Sequence, residues 1–137
     1  MQPRITDISS PSNPVLKALK ALNDKRGRRE AGQFLAEGLR VCTEALEAGI
    51  VPETLLFTPE AERHPLTKAL IDATWDLRGT ILRTTPDLMQ RLTGKDNAQA
   101  VAAAYPIPDI SLDRIDRSTA KLWLVAENLK DPGNFGT

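Results

Sequence analysis

Apolar positions along the chain fall into short runs parted by polar, Pro- or Gly-containing breaks, and their period alternates between that of a strand and that of a helix. Asn13-Pro14 predicts a helix start, because Asn13 can cap free backbone N–H groups and Pro14 loses no bond in the first turn. Leu16, Leu19 and Leu22 then share one face, Lys17, Lys20 and Asp24 lie opposite, and KRGRR (Lys25 to Arg29) follows at the helix end. Gln33 to Glu37 (QFLAE) reads as a short strand, Gly38 as a break, and Leu39 to about Ala48 as a helix closed by Gly49. Thr54 to Thr58 is the next strand. After the polar PEAERHP, which carries His64, the residues Leu66, Ala69, Leu70 and Ala73 have the i, i+3, i+4, i+7 spacing of a core-facing helix. Thr80 to Thr84 is a third strand, and Thr85-Pro86 caps a helix carrying Leu88, Met89 and Leu92. Beyond the polar TGKDNAQ, Ala98 to Tyr105 is a strand of small residues, which suggests the close approach of a helix.

Strands and helices that alternate at these lengths predict a three-layer α/β/α sandwich with a mainly parallel sheet. It spans residues 31–105, preceded by a basic N-terminal helical extension over 1–30. Residues 106–120 hold two prolines and scattered charge without a period, and read as a linker. The unbroken apolar run Leu122 to Ala126 follows. It predicts a strand buried on both faces that delivers the loop Asp131, Pro132, Gly133, Asn134 and Gly136, and residues 121–137 read as the opening of a second domain.

The composition narrows the chemistry. No stretch of the 137 residues approaches the run of about 20 apolar residues that crosses a bilayer, and the first ten residues lack an apolar signal core, so a cytoplasmic location is expected. One cysteine, Cys42, excludes an intrachain disulfide, and with His64 as the one histidine no Cys/His metal site can be assembled. Cys42 falls in line with Ala45 and Leu46 and reads as a core residue. The net charge is zero, yet residues 1–40 hold eight basic side chains against four acidic ones. A cluster of that kind can bind a phosphate backbone whatever the overall charge.

Local readings leave alternatives open. KRGRR can be a solvated helix end that complements the helix dipole, Glu37 and Arg40 an ordinary helix start, and DPGNFG a turn.

The order of these motifs resembles the SpoU-type family of RNA ribose 2′-O-methyltransferases, within the knotted SPOUT superfamily. SNPVLKAL (Ser12 to Leu19) is similar to the family's N-terminal helix start, and QFLAEGLR to its F-L-V/I-E-G-x-R signature, departing at Ala36. LTGKDNAQAVAA (Leu92 to Ala103) is similar to the end of its substrate-binding domain, with Ala98 for a frequent proline and Ala100 for a frequent glycine. LVAENLKDPGNFGT matches the opening D-P-x-N-x-G-x-x-x-R motif of the catalytic domain at Asp131, Pro132, Asn134 and Gly136. The resemblance implies an S-adenosylmethionine-dependent enzyme in which a ribose 2′-hydroxyl attacks the cofactor's methyl group, with ribosomal RNA as substrate. It makes Asn134 the catalytic motif residue, and places the partner arginine and the cofactor-binding knot beyond Thr137. Lys17, Lys20, Lys25, Arg26, Arg28, Arg29, Glu37 and Arg40 are the candidate RNA-binding residues. The chain is then expected to be the RNA-binding portion of such an enzyme, truncated, inactive alone and without bound cofactor. Family dimers form through the catalytic domain, which leaves this chain monomeric. A non-enzymatic RNA- or ribosome-binding module is the alternative. A nucleotide-binding protein that uses DPGNFG as a phosphate cradle is weaker, because that pattern lacks a phosphate-binding lysine.

Overall fold

Five strands form one sheet in the computed structural model, which describes residues 2–131, 133 and 135. They are β1 (Thr6–Ile8), β2 (Gln33–Glu37), β3 (Thr54–Phe57), β4 (Thr80–Thr84) and β5 (Val101–Pro106), in the spatial order β1-β4-β3-β5-β2. β1, β4 and β3 pair in parallel, whereas β5 lies antiparallel between β3 and β2. The sheet is therefore mixed, not mainly parallel as predicted. The cause is the connection into β5. A helix running back along the sheet normally hands over to a parallel strand through a short loop, but here residues 94–100 carry the chain back to the edge where β3 and β4 end. There Thr58 N–H donates to Ala100 O at 2.9 Å and Gly38 N–H to Val101 O at 2.8 Å. Ala98 to Ala100, expected within the strand, belong to this loop.

Side chains alternate across β5 and so separate two cores. Ala102 and Ala104 join Ile8, Leu56 and Leu82 beneath α1 (Pro14–Ala21) and α6 (Pro86–Thr93), which contribute Leu16, Leu19, Leu88, Met89 and Leu92. Val101, Ala103 and Tyr105 join Leu55, Phe57 and Ile81 against α3 (Leu39–Glu47) and α5 (Pro65–Asp76), which bring Cys42, Leu70 and Ile71. Helices thus cover both faces, giving the three-layer α/β/α arrangement. Each fully buried leucine contributes roughly 1.5–3 kcal/mol of apolar transfer.

The N-terminal residues are part of this fold and not an extension of it. One structural unit runs through Ile107. The unforeseen strand β1 pairs with β4, and Arg83 on β4 clamps it: Nε and Nη2 donate to the two Asp7 carboxylate oxygens at 2.6 and 3.0 Å. Arg83 Nη1 donates to Glu62 at 3.0 Å, tying in the short α4 (Pro59–Glu62), also unforeseen within a segment read as polar loop. α5 keeps the predicted period but is rotated. Its buried face is Thr67, Leu70, Ile71 and Thr74, whereas Leu66 is 42% exposed. Of the two threonines inside, Thr74 is satisfied by the helix itself, its hydroxyl donating to Leu70 O at 2.6 Å, whereas the buried Thr67 hydroxyl has no hydrogen-bond partner among the described residues.

KRGRR does not end the first helix. Asp24 interrupts the chain after α1 and caps α2 (Lys25–Ala31), its carboxylate accepting from Gly27 N–H at 2.9 Å. Gly27 lies against α1 so closely that a Cβ there would strike the Ala21 carbonyl.

Residues from Pro108 onward form a second unit. Its described residues include two short 3-10 turns, Leu112–Arg114 and Arg117–Thr119. The strand expected at Leu122 to Ala126 is absent: Leu122, Leu124 and Val125 are 88%, 83% and 89% exposed. An apolar run becomes a buried strand only where a neighbouring strand supplies hydrogen bonds, and no strand among the described residues pairs with this one.

Two outcomes follow from this packing. Gly27→Ala should destabilise the unit by about 1–3 kcal/mol in urea unfolding, since the clash with a backbone carbonyl outweighs the helix propensity gained, about 1 kcal/mol. The Arg83 guanidinium, chiefly by hydrogen bonding, holds the Asp7 carboxyl below the ordinary carboxylate range. A depressed folded-state value stabilises the fold above the unfolded value and is lost as pH falls through the folded one. The melting temperature of wild type should therefore exceed that of Arg83→Met at neutral pH, and the gap should close in acid below pH 4. An equal gap at pH 3 and pH 7 would refute the clamp.

Candidate nucleic-acid interface

The cations of the first forty residues do not form one patch. α1 turns Leu16, Leu19 and Leu22 into the core and leaves Lys17 and Lys20 on its outer side. There they meet a residue that the sequence reading did not select. Arg91 on α6, with Lys17 and Lys20, lines a surface depression of about 180 Å³ floored by Pro11, Leu16 and Leu92. Arg91 also pairs with Asp87 one turn earlier, at 3.1 Å. Its signal in the sequence was faint, because a basic residue beside Leu88 and Leu92 marks only a helix flank. What places it is the packing of α6 on α1, fastened where the Asn23 side-chain amide donates to Leu92 O at 2.6 Å.

Within KRGRR the five residues have different duties. Arg28 Nη1 donates to Leu22 O at 3.0 Å and Asn23 O at 3.1 Å, closing the carbonyl end of α1. Gly27 permits the helix contact described above. Arg26 pairs with Glu30 at 2.7 Å. Lys25 and Arg29 have no ion pair among the described residues; with Arg26 and Glu30 they line a wide, open hollow.

Glu37 and Arg40 stand elsewhere. α2 leads into the amino end of β2, whereas Glu37 lies at its carboxyl end, roughly 13 Å along the strand. Gly38 then turns the chain with φ 112°, a left-handed angle that suits glycine, and its Cα side abuts Gln99. Glu37 is largely covered, its side chain 17% exposed, and accepts from Lys95 Nζ at 2.9 Å. Arg40 points outward, 93% exposed, and donates to Glu44 at 2.9 Å, which raises its already high pKa. Lys95 and Gln99, also missed from sequence, complete a shallow hollow with Glu37, Arg40 and Glu44. Their place depends on the returning 94–100 loop.

Asn134 lies outside the described residues, as do Pro132 and Gly136. Of that loop the structure describes Asp131, whose carboxylate accepts from Gly133 N–H at 2.9 Å.

The other candidate chemistry is structural. Cys42 is fully buried, and burial raises its thiol pKa, the opposite of what a nucleophile needs. Tyr105 beside it is likewise raised, chiefly by burial, and its ring stacks on Phe34, directly opposite in the β2–β5 pair, at 5.8 Å between centroids. His64 caps α5, its Nδ1 accepting from Leu66 N–H at 3.2 Å. Among the described residues no group of three metal-ligating side chains occurs, and no helix is long and apolar enough to cross a membrane.

Comparison with known proteins agrees with this geometry. Residues 13–103, the span from the cap of α1 into β5, match the family described as MRM3-like substrate binding domain. An uncharacterized tRNA/rRNA methyltransferase of Synechocystis sp. is 31% identical over 97% of this chain and 47% of its own length. The 23S rRNA (guanosine(2553)-2′-O)-methyltransferase of Bacillus subtilis is 30% identical over 95% of this chain and 47% of its own. The chain thus spans about half the length of these curated relatives. A crystal structure of an RNA 2′-O ribose methyltransferase superposes over 96% of this chain and 49% of that one, with TM-score 0.68 and 30% identity. The SpoU methyltransferase AviRb of Streptomyces viridochromogenes, solved with AdoMet, superposes over 75% of this chain with TM-score 0.57 and 28% identity. The match across residues 13–103, about two thirds of the chain, and relatives 30–31% identical over nearly all of it assign the chain to the MRM3-like substrate-binding domain family of SpoU-type methyltransferases.

Proposed function

We propose that this chain is the RNA-binding portion of an S-adenosylmethionine-dependent RNA 2′-O-ribose methyltransferase whose substrate is ribosomal RNA. The observation that carries the reading is the coincidence of the substrate-binding-domain match at residues 13–103 with the outward cations of α1 and α2. Relatives whose names specify 23S rRNA 2′-O-methylation support the substrate class.

In this reading Lys17, Lys20, Lys25, Arg26, Arg29 and Arg40 contact phosphates and fix the register of the RNA without reading its bases. Arg28 and Glu37 serve the site indirectly. Arg28 holds the α1–α2 junction that presents Lys25 and Arg29, and Glu37 anchors Lys95. Within the unit that ends at Ile107, recognition proceeds by RNA shape more than by stacking, because Tyr105 and Phe57 are buried, Trp75 packs against the core and Phe34 is committed to Tyr105.

S-adenosylmethionine supplies the methyl group in such enzymes, and the residues described here do not fit it. Their larger hollows are open and lined by charged side chains such as Lys25, Arg26, Arg29 and Glu30, where an adenosyl group needs apolar walls. Asn134 would then orient the reactants only together with protein beyond this chain, and the chain alone neither binds the cofactor nor methylates RNA. Homodimerisation of the whole enzyme through its catalytic domain, with this chain monomeric by itself, and a cytoplasmic site of action belong to the same proposal.

Fluorescence anisotropy with a structured 23S rRNA fragment tests it: binding should weaken steeply with salt, with several phosphate contacts in the slope. Lys25→Gln with Arg29→Gln should lower that slope by about 1–2 while the melting temperature is unchanged. Calorimetric titration with S-adenosylmethionine should show no binding at micromolar cofactor. Salt-independent RNA binding, or cofactor binding by this chain, would contradict the respective half of the proposal.

A further inference from the structure

Of the four cation-bearing hollows, the one between α1 and α6 differs in its charge. The α2 hollow includes Glu30, the hollow at Gly38 includes Glu37 and Glu44, and the hollow at Arg78 includes Asp76. The α1–α6 hollow is lined by Lys17, Lys20 and Arg91 with no carboxylate, over a floor of Pro11, Leu16 and Leu92. An anion that settles there meets three positive groups and displaces no resident lining acid. The apolar floor supports the long side-chain stems while their heads stay at the rim.

The geometry suits a chain of phosphates better than a single one. Lys17 and Lys20 are one helical turn apart on α1, so they project from the same face in sequence. Arg91 rises from the opposite wall on α6, and its planar guanidinium can engage two oxygens of one phosphate where a lysine acts as a point charge. Its contact with Asp87 is an exposed pair of side chains 61% and 69% accessible, and such pairs contribute little and exchange readily. The groove is also firmly built. Leu16 and Leu92 are 4% and 0% exposed, and the Asn23–Leu92 bond fastens its two walls.

We propose that the α1–α6 groove is a track for the RNA phosphate backbone, with Arg91 as a phosphate-contact residue alongside Lys17 and Lys20. The inference rests on the RNA-binding reading above and adds the path of the strand and a residue from outside the basic N-terminal segment.

The test uses the 137-residue chain and the same 23S rRNA fragment. Arg91→Gln alone should lower the slope of log affinity against log salt by about 1, and the triple variant with Lys17→Gln and Lys20→Gln by about 2–3, with about a tenfold or greater loss of affinity near physiological salt. A charge-matched triple on the opposite helical layer and its flanking turns, Arg63→Gln, Lys68→Gln and Arg78→Gln, should leave the slope nearly unchanged. Acylation footprinting of the unmodified chain gives a second readout that needs no variant: RNA should protect Lys17 and Lys20 but not Lys68. Binding that retains the wild-type slope in the groove triple, or equal loss in both triples, overturns the groove while leaving the RNA reading intact. Absence of salt-dependent RNA binding by the wild-type chain overturns both.

Discussion

The structure depends on one strand that runs against the others. β5 is hydrogen-bonded on both edges and buried on both faces, so it determines where β2 and β3 lie and which residues each helical layer can reach. Its alanines are part of that constraint. Ala102 and Ala104 leave room for Leu16, Leu88 and Leu92, and Ala103 for Cys42 and Leu70. Because β5 enters from the edge where β2, β3 and β4 finish, the 94–100 loop must cross that edge, and this brings Lys95 to Glu37 and Gln99 to Gly38. The hollow at the start of α3 is therefore a consequence of strand direction.

Much of this was legible in the residues. The spans Gln33–Glu37 and Thr80–Thr84 were read to the residue, and the caps Asn13 and Thr85 accept the bonds expected of them. The failures share a cause: they concern features decided by partners distant in sequence. β1 is three residues long with one buried side chain, too short to show a period, and exists because β4 and Arg83 receive it. The rotation of α5 follows from Ile71 and two threonines entering the core, where a hydrophobicity pattern selects Leu66 and Ala69. The run Leu122 to Ala126 has the composition of a strand, but composition cannot supply the neighbouring edge that pairing requires.

The candidate site was legible as composition and not as arrangement. Basic residues outnumber acidic ones in the first forty positions, yet the fold assigns Arg28 to the Leu22 and Asn23 carbonyls just after α1, Arg26 to Glu30 and Arg40 to Glu44. It also adds Arg91 and Lys95, which lie outside those forty positions. A net charge of zero is then compatible with anion binding, because potential at a groove depends on the few charges within about a Debye length of 8–10 Å and not on the total.

Binding and chemistry make different demands on side chains. Catalytic centres gather groups with shifted pKa in a cleft, since a general base or nucleophile must be tuned to its task. Here the shifted groups are accounted for by structure. Asp7 is lowered by the Arg83 clamp, Cys42 and Tyr105 are raised by burial between β5 and α3, and Asp109 and Asp116 are lowered by local hydrogen bonds to Ser111 and Ser118. Of the shifted groups only Arg40, whose already high value is raised by its bond to Glu44, lines one of the three hollows at α1–α6, α2 and Gly38. The cationic surfaces are instead made of lysine and arginine side chains on packed helices, which suits phosphate contacts that fix register without reading bases.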